Sequence, residues 1–319
     1  MKSSCCAVGI DIGGTKIAIG IVAAGGRVLA SRTIATEPRL GYQDATRRIT
    51  TAVRQTLQDS GTEGREMAGA GVGCAGPVNP LLGEINNPHT LPDWEGWNIV
   101  RSLSRELDMP VWLENDADAA ALGEYYHGAG QGADSLTMLT IGTGVGGAVV
   151  VRGEIYRGAD GEHPEIGHMP IFFGGIKCYC GRQGCLESIV SGSAIAAAGE
   201  RVGFESAAHV FAAATEGHPA AGQVLAGVQR ALDAATWTLL HTHLPARIIL
   251  GGGLVDAHPD FFVDAVRATV GRARLLSRAI VVAPARLGNQ AGLIGAARLA
   301  IERKATCGAP ASHLLPLSL

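Results

Sequence analysis

The chain has 319 residues, a length typical of two domains, and its 47% content of hydrophobic residues can supply a core for each. Charged residues make up only 17% of the chain and sum to −3, so the sequence lacks the basic field that a nucleic-acid or anionic-membrane surface requires. The apolar runs end well before the roughly 18 to 20 residues that span a bilayer, and Asp11 interrupts the N-terminal run where a signal peptide has its apolar core. We therefore expect a soluble, cytoplasmic protein with no nucleic-acid or membrane partner.

The first predicted elements are three short strands followed by a helix. Apolar runs over residues 5–10, 17–22 and 28–34 predict a meander, and its first turn is the segment Asp-Ile-Gly-Gly-Thr-Lys at 11–16. Apolar residues at helical spacing within 42–59 predict one amphipathic helix after these strands.

A long polar segment comes next in the chain. A strand predicted over 70–74 leads into residues 76–97, which are rich in Pro, Asn and Gly and have no apolar period. A loop of this length in a compact domain is usually functional. A short strand over 111–113 then ends in Glu-Asn-Asp at 114–116, and an Ala-rich helix follows.

The second half of the chain starts as the first half does. Its predicted elements are strands over 136–141, 148–151, 154–156 and 247–250, a helical stretch over 193–240 with breaks at Gly203 and 217–219, and a helix, strand and helix over 259–301. Both halves open with short strands, and each has a glycine turn after its first strand. This order indicates an internal duplication and two α/β domains with a cleft between them.

Two glycine turns are candidates for phosphate binding. The segment 142–147 fits G-x-G-x-x-G, but a dinucleotide-binding motif opens a helix, whereas a β-branched strand follows here. Either turn alone is more often an ordinary hairpin. Their equivalent places, with Thr15 and Thr143 beside glycines, favour opposite walls of one phosphate site. Asp11 would then hold Mg²⁺ through water. The residue pattern by itself assigns no chemistry to Lys16 and favours a solvated lysine.

The strongest local signal is a group of metal-binding residue types. Glu165-Ile-Gly-His168 precedes three cysteines within eight residues, at 178, 180 and 185. One imidazole and three thiolates match a closed structural zinc site, although Cys-x-Cys is tighter than the common Cys-x-x-Cys. Buried free cysteines are the alternative, and the polar neighbours of these residues argue against it. The remaining cysteines, interpreted as core or surface thiols, are Cys5, Cys6, Cys74 and Cys307.

The segment Glu114-Asn115-Asp116 closes a strand and begins a helix. Asn or Asp at such a place is commonly an N-cap, and capping is the better interpretation of the segment in isolation. A carboxylate in a cleft could instead take the proton of an attacking hydroxyl in phosphoryl transfer. The residues alone leave both interpretations open.

Together these motifs resemble the ROK family of sugar kinases and sugar-responsive repressors, in order and over almost the whole chain. The resemblance implies an α/β, actin-like or hexokinase-like (ribonuclease H-like) fold of two domains that close over sugar and ATP. We expect a small N-terminal domain over 1–117, onto which a C-terminal helix at about 290–304 packs, and a large domain over 118–289 that contains the zinc motif.

The resemblance also implies roles for single residues, with Asp116 as the general base that deprotonates the sugar. The sugar would be bound by Gly76, Asn79, Asn87, Asn115, Asp116, Glu165, His168 and Glu187. ATP with Mg²⁺ would be bound by Asp11, Gly13, Gly14, Thr15, Lys16, Thr143, Gly144, Gly252 and Gly253. A structural Zn²⁺ would be held by His168, Cys178, Cys180 and Cys185. Pro164 departs from the family pattern, which more often has Gly before the glutamate.

The implied function is ATP-dependent phosphorylation of a hexose at its 6-hydroxyl, with glucose as the main candidate. An N-acetylmannosamine or N-acetylglucosamine kinase is the alternative within the family, and a non-catalytic sugar sensor is the alternative of a different class. ROK repressors carry a helix-turn-helix domain before the kinase-like part, whereas here the first phosphate turn begins at residue 11. We therefore expect a kinase, and a homo-oligomer, either a dimer or a tetramer.

Overall fold

The structure is a computed structural model that describes residues 5–274 and 279–307. Its strands are β1 (Cys5–Ile12), β2 (Lys16–Ala23), β3 (Val28–Ala35), β4 (Glu66–Cys74), β5 (Val78–Asn79), β6 (Glu84–Ile85), β7 (Trp97–Asn98), β8 (Val111–Asn115), β9 (Ser135–Ile141), β10 (Val145–Val151), β11 (Glu154–Ile155), β12 (Arg247–Gly251) and β13 (Val281–Pro284). Its α-helices are α1 (Gly41–Asp59), α2 (Ile99–Leu107), α3 (Asp116–His127), α4 (Glu187–Val190), α5 (Gly192–Glu200), α6 (Ala207–Thr215), α7 (Pro219–Thr242), α8 (Gly253–Ala257), α9 (Pro259–Arg272) and α10 (Ala291–Cys307).

The chain divides into two compact units. Within the described residues, the first unit consists of 5–123 and 292–307, and the second consists of 124–274 and 279–291. The described helices include none that is both long and apolar enough to cross a bilayer.

The first unit is built on a five-stranded sheet in the order β3-β2-β1-β4-β8. The pairs β3–β2 and β2–β1 are antiparallel, and β1, β4 and β8 run parallel. Strand β1 is buried almost throughout because helices cover both faces of the sheet. The predicted strands and the helix over 42–59 are confirmed in this unit.

Helix α10 packs on the central strands of the first unit so closely that the backbones of helix and strands are in contact. A Cβ atom added to Gly71 of β4 would lie 1.7 Å from the carbonyl oxygen of Ala296, and one on Gly9 of β1 would lie 2.2 Å from that of Leu293. On the helix side, a Cβ at Gly295 would lie 1.6 Å from the carbonyl oxygen of Ala119 in α3. Glycine is required at these positions because a side chain would separate the helix from the sheet.

The second unit repeats the sheet topology of the first. Its order is β11-β10-β9-β12-β13, with the first two pairs antiparallel and β9, β12 and β13 parallel. The predicted duplication is therefore confirmed at the level of topology. The breaks predicted at Gly203 and 217–219 are also confirmed, since they separate α5, α6 and α7.

The segment after Gly76 differs most from its prediction. Residues 76–97, predicted as a polar loop, contain β5 and β6 and lead into β7, and these strands form a small antiparallel sheet. Trp94 and Trp97 are buried there with their rings in edge-to-face contact at 5.1 Å. Helix α2 is absent from the prediction, although its N-cap, Asn98, accepts a hydrogen bond from the N–H of Arg101 at 2.9 Å.

Candidate active site

Two carboxylates lie near one another at the carboxyl ends of β1 and β8, the parallel strands on either side of β4 in the first unit. Asp11 is the next-to-last residue of β1. Asp116 is the first residue of α3 and directly follows β8. Gly73 of β4 lies between them, because a Cβ atom there would be 3.9 Å from Oδ1 of Asp11 and 3.8 Å from Cα of Asp116. Ligands of open α/β sheets bind outside the carboxyl ends of the strands, which is where both acids lie.

The Asp11 carboxyl has a perturbed acidity. Burial, followed by the negative charge of Asp116, raises its pKa to about 7, and the positive charge of Lys16 opposes this shift. The carboxylate also packs against the first turn of α10, since a Cβ at Gly292 would lie 2.6 Å from Oδ2 of Asp11. A cation bound at this carboxylate would favour its charged form.

The capping interpretation of Asn115 is confirmed. Its Oδ1 accepts hydrogen bonds from the backbone N–H of Ala117 at 2.8 Å and of Asp118 at 3.4 Å, so it caps α3. Asp116 Oδ1 also accepts a hydrogen bond from the N–H of Ala117, at 2.8 Å. The cap fixes the start of the helix and, with it, the half-buried Asp116 side chain.

The first glycine turn is tied to the end of β3. The N–H of Gly13 donates to the carbonyl of Lys16 at 3.0 Å, and Thr36 donates from Oγ1 to the carbonyl of Gly13 at 2.7 Å. Gly14 lies against Thr90, because a Cβ there would be 2.8 Å from its methyl carbon. Thr15 and Lys16 are exposed to solvent. The exposed Lys16 agrees with the interpretation of a solvated lysine.

The asparagines of the segment after Gly76 bind backbone groups of that segment. Asn87 is buried; its Nδ2 donates to the carbonyl of Gly76, and its Oδ1 accepts from the N–H of Thr90 at 2.9 Å. Asn79 Oδ1 accepts from the N–H of Leu82 at 3.0 Å. Both side chains hold the segment in shape, and their contact with a sugar stays a prediction.

The second glycine turn, in the second unit, is joined to Glu187. Oε2 of Glu187 accepts a hydrogen bond from the N–H of Val145 at 2.8 Å, and a Cβ at Gly144 would lie 2.7 Å from the same oxygen. Ser193 Oγ donates to the carbonyl of Thr143 at 2.9 Å. Strand β10 follows the turn directly, which agrees with the exclusion of a dinucleotide-binding motif.

The second turn also lies beside the glycines that follow β12. A Cβ on Gly142 would be 3.9 Å from the backbone nitrogen of Gly253. Gly252 has a φ of 94°, and a Cβ there would lie 2.6 Å from the carbonyl oxygen of Ile141, so this close approach requires glycine. Thr143, Gly144, Gly252 and Gly253 are therefore neighbours at the carboxyl ends of β9 and β12.

His168, Cys178, Cys180 and Cys185 form one cluster. Their ligand atoms all lie within 4.8 Å of one another. The Cys178 Sγ is 3.5 Å from Nδ1 of His168, and the sulfurs of Cys180 and Cys185 are 3.6 Å apart. A tetrahedral zinc ion with ordinary bond lengths places sulfur and nitrogen ligands about 3.5 Å apart and two sulfur ligands about 3.8 Å apart. The residues present therefore fit this metal, with Nδ1 of His168 in the cluster and Nε2 on the opposite side of the ring.

The pKa values of the thiols in the cluster are shifted in different directions. Burial raises the pKa of the Cys185 thiol to about 12, whereas a hydrogen bond from the backbone of Arg182 lowers the pKa of Cys180. A bound cation would hold all of these sulfurs as thiolates at neutral pH. The loop that carries them requires glycine at Gly184, because a Cβ there would lie 1.9 Å from the carbonyl oxygen of Phe172 and its φ is 76°. Of the other cysteines, Cys6 and Cys74 are buried and Cys5 is half-buried, and the side chain of Cys307 lies outside the described residues.

Two residues near the predicted sugar ligands were missed by the sequence analysis. His163 Nε2 lies 3.2 Å from Oε1 of Glu165, and this contact is the main cause that lowers the pKa of Glu165. The ring of Tyr179 meets that of His168 edge-on at 5.0 Å, and its hydroxyl hydrogen-bonds to Glu187. The signal for Tyr179 was its place between two metal-ligand candidates, whereas nothing in the sequence pattern paired His163 with Glu165.

Residues 7–303 match the model of the ROK family. A curated relative is the glucokinase of Thermotoga maritima, which is 32% identical over 321 aligned residues, covering 93% of this chain and 97% of the relative.

Two solved structures are similar to most of the chain. The ROK hexokinase from Thermus thermophilus superposes with a TM-score of 0.83 at 31% identity, covering 94% of this chain and 99% of the other. A ROK family glucokinase from Streptomyces griseus, in complex with glucose and AMPPNP, superposes with a TM-score of 0.74 at 33% identity, covering 93% and 99% of the two chains. These similarities confirm the actin-like, hexokinase-like α/β fold. The duplicated sheet topology, the ordered motifs and the family match agree: the chain belongs to the ROK family.

Proposed function

We propose that this protein is an ATP-dependent sugar kinase that phosphorylates a hexose at its 6-hydroxyl, with glucose as the preferred substrate. The observation that carries the proposal is the position of Asp116. It lies on the first residue of α3, at the carboxyl end of β8, with its backbone fixed by the Asn115 cap and the Asp11 carboxylate nearby. A general base must be held in such a defined place within reach of the proton that it takes.

The chemistry assigned to Asp116 is proton abstraction. As the sugar 6-oxygen attacks the γ-phosphorus of ATP, its proton passes to the Asp116 carboxylate. The new O6–P bond forms while the bond between the γ-phosphorus and the leaving oxygen of ADP breaks. Positioning and neutralisation of phosphate charge supply most of the remaining rate enhancement in such transfers.

The second unit supplies the proposed sugar ligands Glu165, His168 and Glu187. A hydroxyl-rich ligand needs charged or amide partners, because an unpaired polar group in a closed site is costly. Glu187 is held by Val145, and Glu165 by His163, so both carboxylates are pre-oriented. His168 would offer Nε2 while Nδ1 faces the metal cluster.

We assign ATP to the glycine turns and Mg²⁺ to Asp11. Gly13, Gly14, Thr15 and Lys16 of the first turn, and Thr143 and Gly144 of the second, would contact the phosphates, with Gly252 and Gly253 near the adenosine. Mg²⁺, when bound, neutralises phosphate charge. Asp11 suits it because a cation would offset the repulsion from Asp116 that raises its pKa.

Zinc is the proposed structural metal of the cluster of His168, Cys178, Cys180 and Cys185. Three thiolate ligands suit a reducing compartment, which supports a location in the cytoplasm. Family membership supports a homo-oligomer, either a dimer or a tetramer. The proposed domains are those expected from the sequence, 1–117 with the C-terminal helix and 118–289.

An N-acetylmannosamine or N-acetylglucosamine kinase is the second candidate, since all the residues assigned above would serve it equally. A non-catalytic sugar sensor is the third. The test is an ADP-release assay with Mg-ATP and a panel of glucose, mannose, fructose, N-acetylglucosamine and N-acetylmannosamine. The highest kcat/KM is expected for glucose; preference for an N-acetylated sugar replaces only the substrate, and inactivity with all five sugars supports the sensor.

Asp116→Asn tests the assigned base. We expect kcat to fall by about 10²- to 10⁴-fold, with the sugar Kd, measured by isothermal titration calorimetry, unchanged. Asp108→Asn, at an exposed aspartate before β8 and at the opposite end of that strand from Asp116, is the matched control and should leave both quantities unchanged. Wild-type turnover in Asp116→Asn would remove Asp116 from its role, and a loss of sugar binding would indicate misfolding.

A further inference from the structure

Tyr179 connects the metal cluster to a proposed sugar ligand. Its neighbours in the chain on both sides, Cys178 and Cys180, are members of the cluster. Its side chain is nevertheless 69% exposed, so it is not a core residue whose purpose is packing. An exposed aromatic side chain with two defined polar neighbours calls for a specific explanation.

The first neighbour of Tyr179 is His168. The two rings meet edge-on, with centroids 5.0 Å apart and planes at 85°. Since Nδ1 of His168 faces Cys178 at 3.5 Å, the position of the imidazole is set by the cluster on one side and limited by the tyrosine ring on the other. This arrangement restricts the direction in which Nε2 points.

The second neighbour of Tyr179 is Glu187. After burial, the charge of the Glu187 carboxylate and a side-chain hydrogen bond to it raise the pKa of the Tyr179 hydroxyl. Oε2 of the same carboxylate accepts a hydrogen bond from the N–H of Val145 at 2.8 Å. The carboxylate is thus held by two donors from two separate loops. A carboxylate with both its position and its orientation fixed binds a ligand hydroxyl without a further ordering cost.

We propose that Tyr179 is a positioning residue for the sugar, which orients Glu187 through its hydroxyl and His168 through its ring. The inference rests on the proposed function, because it takes both neighbours as sugar ligands. The metal would then have a second effect, because by fixing the backbone of Tyr179 it would also fix the orientation of Glu187. Tyr179 itself touches neither the phosphates nor the reacting oxygen.

The test compares Tyr179→Phe and Tyr179→Ala with Tyr156→Phe as the control, since Tyr156 is an exposed tyrosine of the same unit. The phenylalanine variant keeps the ring and removes the hydroxyl. We expect it to raise the sugar KM and the calorimetric sugar Kd about fivefold to twentyfold, with kcat, the KM for ATP and the zinc content near wild type. Tyr179→Ala should weaken sugar binding further, and Tyr156→Phe should change none of these quantities.

Wild-type sugar KM and Kd in Tyr179→Phe would overturn the inference, as would loss of zinc from this variant, because Tyr179 would then act by stabilising the cluster. Equal effects on the KM values for sugar and ATP would also contradict it. A wild-type protein that binds glucose without phosphorylating any sugar contradicts the proposed function alone, since the inference is decided by sugar Kd. A wild-type protein that binds no sugar contradicts both.

Discussion

Replacing Asp11 by Asn is expected to stabilise the protein while removing activity. The pKa of Asp11 is raised from 3.8 to about 7, mainly by burial and then by Asp116. An acid whose pKa is higher in the folded state contributes stability below its unfolded pKa and loses it as pH rises through the folded pKa. Asn is neutral at every pH, so the variant escapes this loss. Above pH 7, this difference in pKa makes the free energy of unfolding of the variant about 4 kcal/mol higher than that of the wild type.

The measurement is urea unfolding of wild type and Asp11→Asn between pH 4 and pH 8, without nucleotide or Mg²⁺. Tryptophan fluorescence reports mainly on the first unit, which contains Trp94, Trp97 and Trp112, while Trp237 lies in the second. The difference in unfolding free energy should be near zero at pH 4 and rise toward its maximum at pH 8. Asp108→Asn should show no such pH dependence.

A difference that stays constant between pH 4 and pH 8 would refute the reasoning, as would an Asp11→Asn variant that is less stable than wild type at pH 8. The same variant should lose most of its Mg-ATP-dependent turnover. Such a pairing of higher stability with lower activity is typical of charged groups that are retained for function.

Two further predictions concern the cysteine loop. Cys180→Ser should lower bound zinc per chain, measured by mass spectrometry, and expose residues 168–187 to proteolysis, whereas Cys5→Ser, outside the cluster, should do neither; a metal-free protein with full activity and an intact loop would contradict the zinc assignment. Gly184→Ala should lower the thermal midpoint more than Gly181→Ala. Both positions have a positive φ, which costs a residue with a Cβ about 1–2 kcal/mol, but only the Cβ at 184 would also meet a backbone oxygen, at 1.9 Å. Equal midpoints would show that the clash is relieved.

The sequence predicted best those features that depend on local pattern. Strand and helix periodicity located the two sheets and the helices after Gly192, and the crowding of three cysteines beside His168 located the cluster. Helix α2 was missed although its apolar residues, Ile99, Val100, Leu103 and Leu107, recur at helical spacing, because it has only 9 residues and directly follows a Pro- and Gly-rich segment. The predicted polar loop was partly wrong because Trp94 and Trp97 are buried by contacts that local composition does not encode.

Pairings between side chains were beyond the reach of the sequence. Asn87 has the residue type of a sugar ligand, yet its amide is bonded to the backbone of its own segment. The pairing of Glu165 with His163 and the hydrogen bond of Tyr179 to Glu187 depend on loop conformations that spacing does not determine. The roles of these residues follow from direction and distance, which only coordinates supply.

The docking of α10 has a consequence for the order in which the protein can fold during synthesis. The second unit is one continuous stretch of chain, complete before α10 has been translated, whereas the first unit needs this later helix on β1 and β4. Until α10 arrives, the strand faces at Gly9 and Gly71 are uncovered apolar surface on the nascent chain. The second unit can therefore fold on the ribosome, while the first unit stays incomplete until α10 has emerged.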